Sequence, residues 1–230
     1  MITKSTILVS AVIFIFHSCV LGQRISSPNF SLKSPETVEV IEVEVSRSRT
    51  VVRGSIENRI SNGYFCLDRS TYLITENGER LNLTGLTGLP HCPDSHRFSE
   101  IGEKVYFSLT FPALPPGTDW IDLIEECGDG CLLVYGITLD QELNTEINSG
   151  FRALDRGENE EATELFENLL KELKPSNHAL LGSVYLNLIT LCEMEDKPER
   201  VDQLIKEILS SAIPRRELFL RNLKSMGYEF

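Results

Sequence analysis

His91, Cys92 and His96 lie within six positions, and Cys127 and Cys131 could join them. Imidazole nitrogens and thiolates are the donors zinc prefers, provided three or four converge tetrahedrally. The spacing of His91 and His96 is loose for that purpose, so a Cys92 disulfide beside solvated histidines is the favoured reading. Cys127-Gly128-Asp129-Gly130-Cys131 suggests a second chemistry, thiol–disulfide exchange. Exchange-active thiols usually sit as C-x-x-C at a helix N-terminus, which lowers a thiolate pKa. Here three residues intervene and the flanks read as strands, which favours a disulfide pinching a Gly-rich hairpin. Glu158, Glu160, Glu161, Glu164 and Glu167 form an acidic run. Paired carboxylates do acid–base work only in a cleft that separates their pKa values, and on an amphipathic helix such a run is a solvated face. Ser183 follows Gly182 but lies within a helical pattern, with no strand before it. No G-x-S-x-G, H-E-x-x-H, phosphate loop or dinucleotide fingerprint occurs. The expectation is a protein that is not an enzyme and needs no metal or cofactor.

The compartment decides how the thiols read. Lys4 followed by the apolar run Ile7–Phe16 has the form of a secretory leader. The run is about half the length of a spanning helix, which needs about twenty residues. Val20 and Gly22 are small residues placed for cleavage after Gly22, so 1–22 is assigned as a signal peptide. A rival reading puts a lipid on Cys19, the only route by which this sequence suggests membrane attachment. After cleavage Cys66, Cys92, Cys127, Cys131 and Cys192 remain, and an oxidising compartment makes them disulfide candidates first. Four cysteines allow three pairings. Cys66–Cys92 and Cys127–Cys131 are favoured, with Cys192 a buried free thiol inside an apolar helical pattern.

The chain has 230 residues, 41% hydrophobic and 24% charged, which is ordinary globular composition. The formal net charge of -12 excludes a nucleic-acid backbone binder, which needs a clustered basic face. Residues 23–35 hold two Pro and four Ser without a period, and read as a flexible lead-in. From 36 to 139 the period is two. Val38 and Val40, then Ile41, Val43 and Val45 alternate with Glu, and the phase slip between Val40 and Ile41 predicts a bulge. Glu76-Asn77-Gly78-Glu79 predicts a type I′ hairpin turn. About eight short strands without helix-length crossovers predict an antiparallel sandwich. From 140 to 230 the period is helical, with stripes such as Leu143, Ile147, Phe151, Leu154 and Leu180, Val184, Leu188, Leu191. Breaks at Gly157, 175–177, 196–198 and Pro214 divide it into five helices packed as antiparallel hairpins. The fold class is therefore α+β in two parts.

Gly150, Gly157, Ala162 and Phe166, in GFRALDRGENEEATELFENLLKELKP, are spaced as in a tetratricopeptide repeat, and the chain around this 26-residue stretch resembles one over roughly 35 residues. The four match the small residue of the first helix, the turn glycine, the small residue where the helices touch, and the aromatic beside it. A second, weaker copy spans Tyr185 to Ser210, where Val201 takes the small-residue position and the turn lacks its Gly. The resemblance implies a protein or peptide partner held by the helical half. The segments TYLITENGERLNL, GLPHCPDSHRF and VYFSLTFPALPPGTDWIDLIEECGDGCLLVYGITLD resemble a sandwich domain of an uncharacterised family of exported proteins from Gram-negative bacteria. That resemblance covers about 75 residues and implies an immunoglobulin-like exported β-sandwich, with no activity attached. The functional expectation is an exported, non-catalytic interaction or scaffold module of the bacterial envelope. The alternative is a sandwich that binds a carbohydrate or small ligand through Tyr64, Tyr72 or Trp120. Asn29-Phe30-Ser31 and Asn82-Leu83-Thr84 match the N-glycosylation pattern, which the bacterial resemblance makes irrelevant.

Overall fold

The computed structural model describes residues 22–127 and 130–230. The segment 1–22 read as a signal peptide, with the alternative lipid site at Cys19, therefore lies outside the described residues except for Gly22. The strands are Gln23–Ser26 (β1), Leu32–Ser34 (β2), Val38–Val45 (β3), Arg49–Glu57 (β4), Tyr64–Phe65 (β5), Tyr72–Thr75 (β6), Arg80–Asn82 (β7), Gly85–Thr87 (β8), His96–Arg97 (β9), Lys104–Pro112 (β10), Trp120–Ile124 (β11) and Leu133–Thr138 (β12). Two five-stranded antiparallel sheets form, in the orders β1-β3-β4-β10-β8 and β2-β12-β11-β6-β7, with β5 and β9 as a small separate pair. Alternation drives the sandwich: Val38, Val43, Val52, Leu109 and Phe111 of one sheet share a buried cluster with Leu73, Ile121, Leu123, Val134 and Ile137 of the other. Each such side chain contributes about 1.5–3 kcal/mol relative to exposure.

The phase slip in β3 is a bulge. Val40 pairs with Gly54 and Glu42 with Arg53, which leaves Ile41 unpaired and partly exposed. The β6–β7 turn differs from the expected type I′. Only Gly78 takes a positive φ, of 81°, and its N–H bonds the Thr75 carbonyl at 2.9 Å. Type I′ needs positive φ at both central residues, so this is the three-residue hairpin that ends in a left-handed glycine.

Residues 23–35 are not a flexible lead-in. Gln23 to Ser26 pair with Val45 to Glu42, and Leu32 to Ser34 pair with Tyr135 to Leu133. Ile25 is fully buried in the sandwich core, and Leu32 packs against the helical core. These three- and four-residue strands are too short to show a period, and their partners lie far along the chain.

The helices are Gln141–Asp155 (α1), Asn159–Leu173 (α2), Leu181–Met194 (α3), Pro198–Ser210 (α4) and Arg216–Ser225 (α5). Asp140 caps α1 by accepting from the N–H groups of Glu142 and Leu143. Gly157 joins α1 to α2 at φ 75°, and the α3–α4 junction, which lacks a glycine, uses Asp196 at φ 55°. Pro198 sits in the first turn of α4, where a missing N–H costs little. The central helix is α3, buried on most sides by α2, α4 and α5. Gly182 permits this closeness: a Cβ there would lie 2.2 Å from the Phe219 ring of α5.

Candidate functional site

The cysteines pair as Cys66–Cys92 and Cys127–Cys131, with Cα separations of 5.2 and 5.6 Å. Two disulfides point to an oxidising environment. Cys192 is a buried free thiol on α3, and burial pushes its pKa up, which makes it inert. The Cys66–Cys92 bridge spans 26 positions and fixes Leu67, whose N–H reaches Pro90 O and whose carbonyl accepts from Cys92 N–H. Loop-closure entropy makes that bridge worth about 3 kcal/mol. Replacing both cysteines by Ser should lower stability by about that amount in urea titration, and the Cys127/Cys131 pair, which closes a loop of 4, by less. Equal losses would contradict the entropic account.

The histidines beside Cys92 hold loops. His91 Nδ1 lies 3.2 Å from Leu67 O, and His96 Nε2 lies 2.9 Å from Glu103 Oε1. Glu103 also accepts from the hydroxyl and the amide of Ser99. These bonds, with His96, hold its pKa at about 2. No group of three or more His, Cys, Asp or Glu side chains is placed to hold a metal among the described residues. Glu125 is buried and accepts from Asp68 N–H and Leu132 N–H, both at 2.7 Å, which braces the hairpin closed by Cys127–Cys131.

Tyr64, Tyr72 and Trp120 do not form one platform. Tyr64 is exposed on the small β5–β9 pair. Tyr72 pairs with Ile124 and Trp120 with Thr138, at opposite ends of β11. The Arg80 guanidinium covers the Tyr72 ring at 3.7 Å, and Trp120 meets His178 edge-on at 6.5 Å. The exposed ring on a sheet face is Tyr106, which the alternation of β10 singles out only once the inner face is known. It borders a shallow depression of about 400 Å³ with Ile41, Arg53, Thr87 and Ser108.

In the helical half Gly150, Ala162 and Phe166 lie on the packed faces of α1 and α2, whereas Gly157 forms the open turn between them. Gly150 faces the Phe166 ring so closely that a Cβ would stand 2.9 Å from it. Phe151 packs edge-on against the same ring at 5.4 Å, and Ala162 is fully buried beside them. The acidic run splits. Glu160, Glu161 and Glu164 are exposed, and Glu158 and Glu161 pair with Arg156. Glu167, expected on the solvated face, instead binds Arg200 of α4 through both oxygens at 2.8 Å. Arg200 also reaches Glu207, which holds Lys174 at 2.6 Å and accepts from the Tyr185 hydroxyl at 3.2 Å. This network ties α2, α3 and α4 together. Ser183, in the first turn of α3, donates to the carbonyl of Leu180, the residue before that helix, at 2.8 Å.

One strip of α3 stays open. Ser183, Asn187, Thr190 and Met194 recur at helical spacing on one face and are partly or fully exposed, whereas the rest of that helix is mostly buried. Asn187 donates its side-chain N–H to Ser183 O and Thr190 its hydroxyl to Leu186 O, each one turn earlier.

Sandwich and helices are locked by a polar seam that sequence reasoning missed. Asn144 of α1 accepts the Asn29 backbone N–H at 2.8 Å and its side-chain N–H at 2.6 Å. Asn29 is thereby committed to the seam, whereas Asn82 is exposed on the edge strand β7. Ser31 Oγ donates to Ala179 O at 2.5 Å, while Gln23 Nε2 ties β1 to Leu139 O in the link between β12 and α1 at 2.7 Å. Buried Asp122 of β11 accepts from Gly136 N–H at 2.7 Å and from Arg215 at 2.6 Å, while that guanidinium lies 4.3 Å above the Tyr135 ring. Asp122 and Arg215 are 93 residues apart, and no local pattern marks such a pair.

No helix among the described residues is long and apolar enough to cross a membrane. Comparison with protein-family models, with curated proteins and with solved structures gives no match.

Proposed function

We propose that this chain is an exported, non-catalytic protein-interaction module of the bacterial envelope, with the helical half as the binding part and the sandwich as its rigid base. The observation that carries the reading is the open strip of α3, Ser183-Asn187-Thr190-Met194, on an otherwise enclosed helix. It offers hydroxyl, amide and thioether groups in a row, suited to an extended peptide or a partner helix. The α1–α2 hairpin, built on Gly150, Gly157, Ala162 and Phe166, supports a repeat-like helical scaffold of the tetratricopeptide kind. The disulfides support export, and the leader supports an envelope or extracellular destination.

The seam dictates the form of the test, because separate baits cut at 139/140 would break it. The full chain should be isolated from native envelopes as wild type and as the double variant Asn187→Arg, Met194→Arg. The reading expects a stoichiometric partner that the variant loses at least tenfold, with the fold intact by circular dichroism. Equal recovery with both proteins would count against it.

A second reading rests on Tyr106, 63% exposed on the outer sheet face beside Arg53, Ser108 and Thr87. An aromatic ring flanked by hydrogen-bonding side chains suits a sugar ring. Binding on a glycan array that Tyr106→Ala abolishes would favour it over the first reading.

A further inference from the structure

His178 sits in the seam between the two halves. It is 7% exposed, on the turn between α2 and α3, and its ring packs edge-on against Trp120 of β11. Its Nδ1 accepts the Leu180 N–H at 3.1 Å, and α3 has no other side-chain cap. The proton of the neutral ring therefore sits on Nε2, which is buried and has no hydrogen-bond partner among the described residues. The next residue, Ala179, carries a contact that holds the halves together, accepting from Ser31 Oγ of the sandwich. A Cβ at Gly136 of β12 would stand 2.8 Å from the Ala179 methyl, so the turn and the sandwich touch here without slack.

We propose that His178 is an acid-sensitive latch: a proton taken from solvent onto Nδ1 removes the acceptor for the Leu180 N–H and releases the α2–α3 turn from the sandwich. After uptake, two N–H donors face each other where a hydrogen bond stood, and a cation lies in a seam with an unsatisfied second N–H. Burying such a charge without a partner is costly, so the ring must move toward water. The charged groups acting on it are Asp119, in the loop before β11, and Asp140, the cap of α1. Both attract an imidazolium and give the released ring a destination. In the closed seam burial outweighs them and holds the His178 pKa below its ordinary 6.5. The folded state thus binds fewer protons than the unfolded one. The contribution of the neutral ring to stability is complete above about pH 6.5 and is lost as pH falls through the folded value.

Trp120 is the chain's one tryptophan, so its emission reports on this contact directly. The full chain without its leader should be titrated from about pH 7.5 to pH 4.5, the range in which a histidine changes charge. The expected result is a reversible red shift and loss of Trp120 emission below about pH 6.5, with far-ultraviolet circular dichroism unchanged. His178→Gln, which keeps an acceptor for Leu180 but takes up no proton, should remove that transition. An unchanged emission in the wild type, or the same transition in the variant, would overturn the proposal. The His178 ring resonance in the wild type gives a reading that needs no variant. Titration of the ring together with the emission supports the latch. Titration at the ordinary value without an emission change refutes it.

Discussion

Replacing Phe166 by Ala lowers the unfolding free energy by about 4 kcal/mol, the cost of emptying a fully buried aromatic site. The ring fills the angle between α1 and α2, against the bare backbone of Gly150 and the edge of Phe151. Helix backbones can close on a cavity only in part, so both the transfer energy and the void contribute. For a chain of this size the loss moves Tm down by roughly 8–16 °C. Thermal unfolding followed by circular dichroism at 222 nm checks it. A fall of less than about 1 kcal/mol would mean that α1 and α2 do not pack on this ring.

The second large effect belongs to the seam. Arg215→Ala should destabilise by about 3 kcal/mol, because it leaves the buried Asp122 carboxylate with one N–H donor and no counter-charge. The figure sits at the low end for a broken buried pair, since the Arg215 side chain is 38% exposed and solvent screens part of the attraction. The double variant Asp122→Asn, Arg215→Met removes both charges and should recover at least half of the loss. A single variant within about 0.5 kcal/mol of wild type would mean that the pair does not join the halves.

The sequence made the periodic parts of this fold legible and left the joints hidden. The alternation in β3, β4 and β10 and the stripes in α1 to α4 mark inner faces, because burial selects apolar residues at a fixed period. The slip at Val40–Ile41 was readable because a bulge shifts the phase of that period. Gly150, Ala162 and Phe166 were readable because close helix packing restricts residue size at set spacings. β1 and β2 were not, since four and three residues carry no period and Ser and Pro mimic a linker. The seam was hidden for a different reason. Asn29 with Asn144, Asp122 with Arg215 and Trp120 with His178 are single polar or aromatic residues whose meaning depends on a partner about 60–115 positions away. Taken one by one, the polar ones look like surface residues. The same limit applies to Glu167, which belongs by helical spacing to the acidic face and by geometry to Arg200.

The joined structure changes how the functional reading is tested. The proposed partner capture on α3 uses a helical half joined to the sandwich by the seam, so the full chain is the unit to test. The most direct measurement places a photo-reactive benzoylphenylalanine at Thr190 in the α3 strip, and separately at Tyr106 on the outer sheet face, in the full chain within the envelope to which the proposal assigns it. Irradiation should yield one adduct of defined mass from position 190 and none from position 106. An adduct from position 106 alone, or none from either position, would contradict an interaction module that works through its helices.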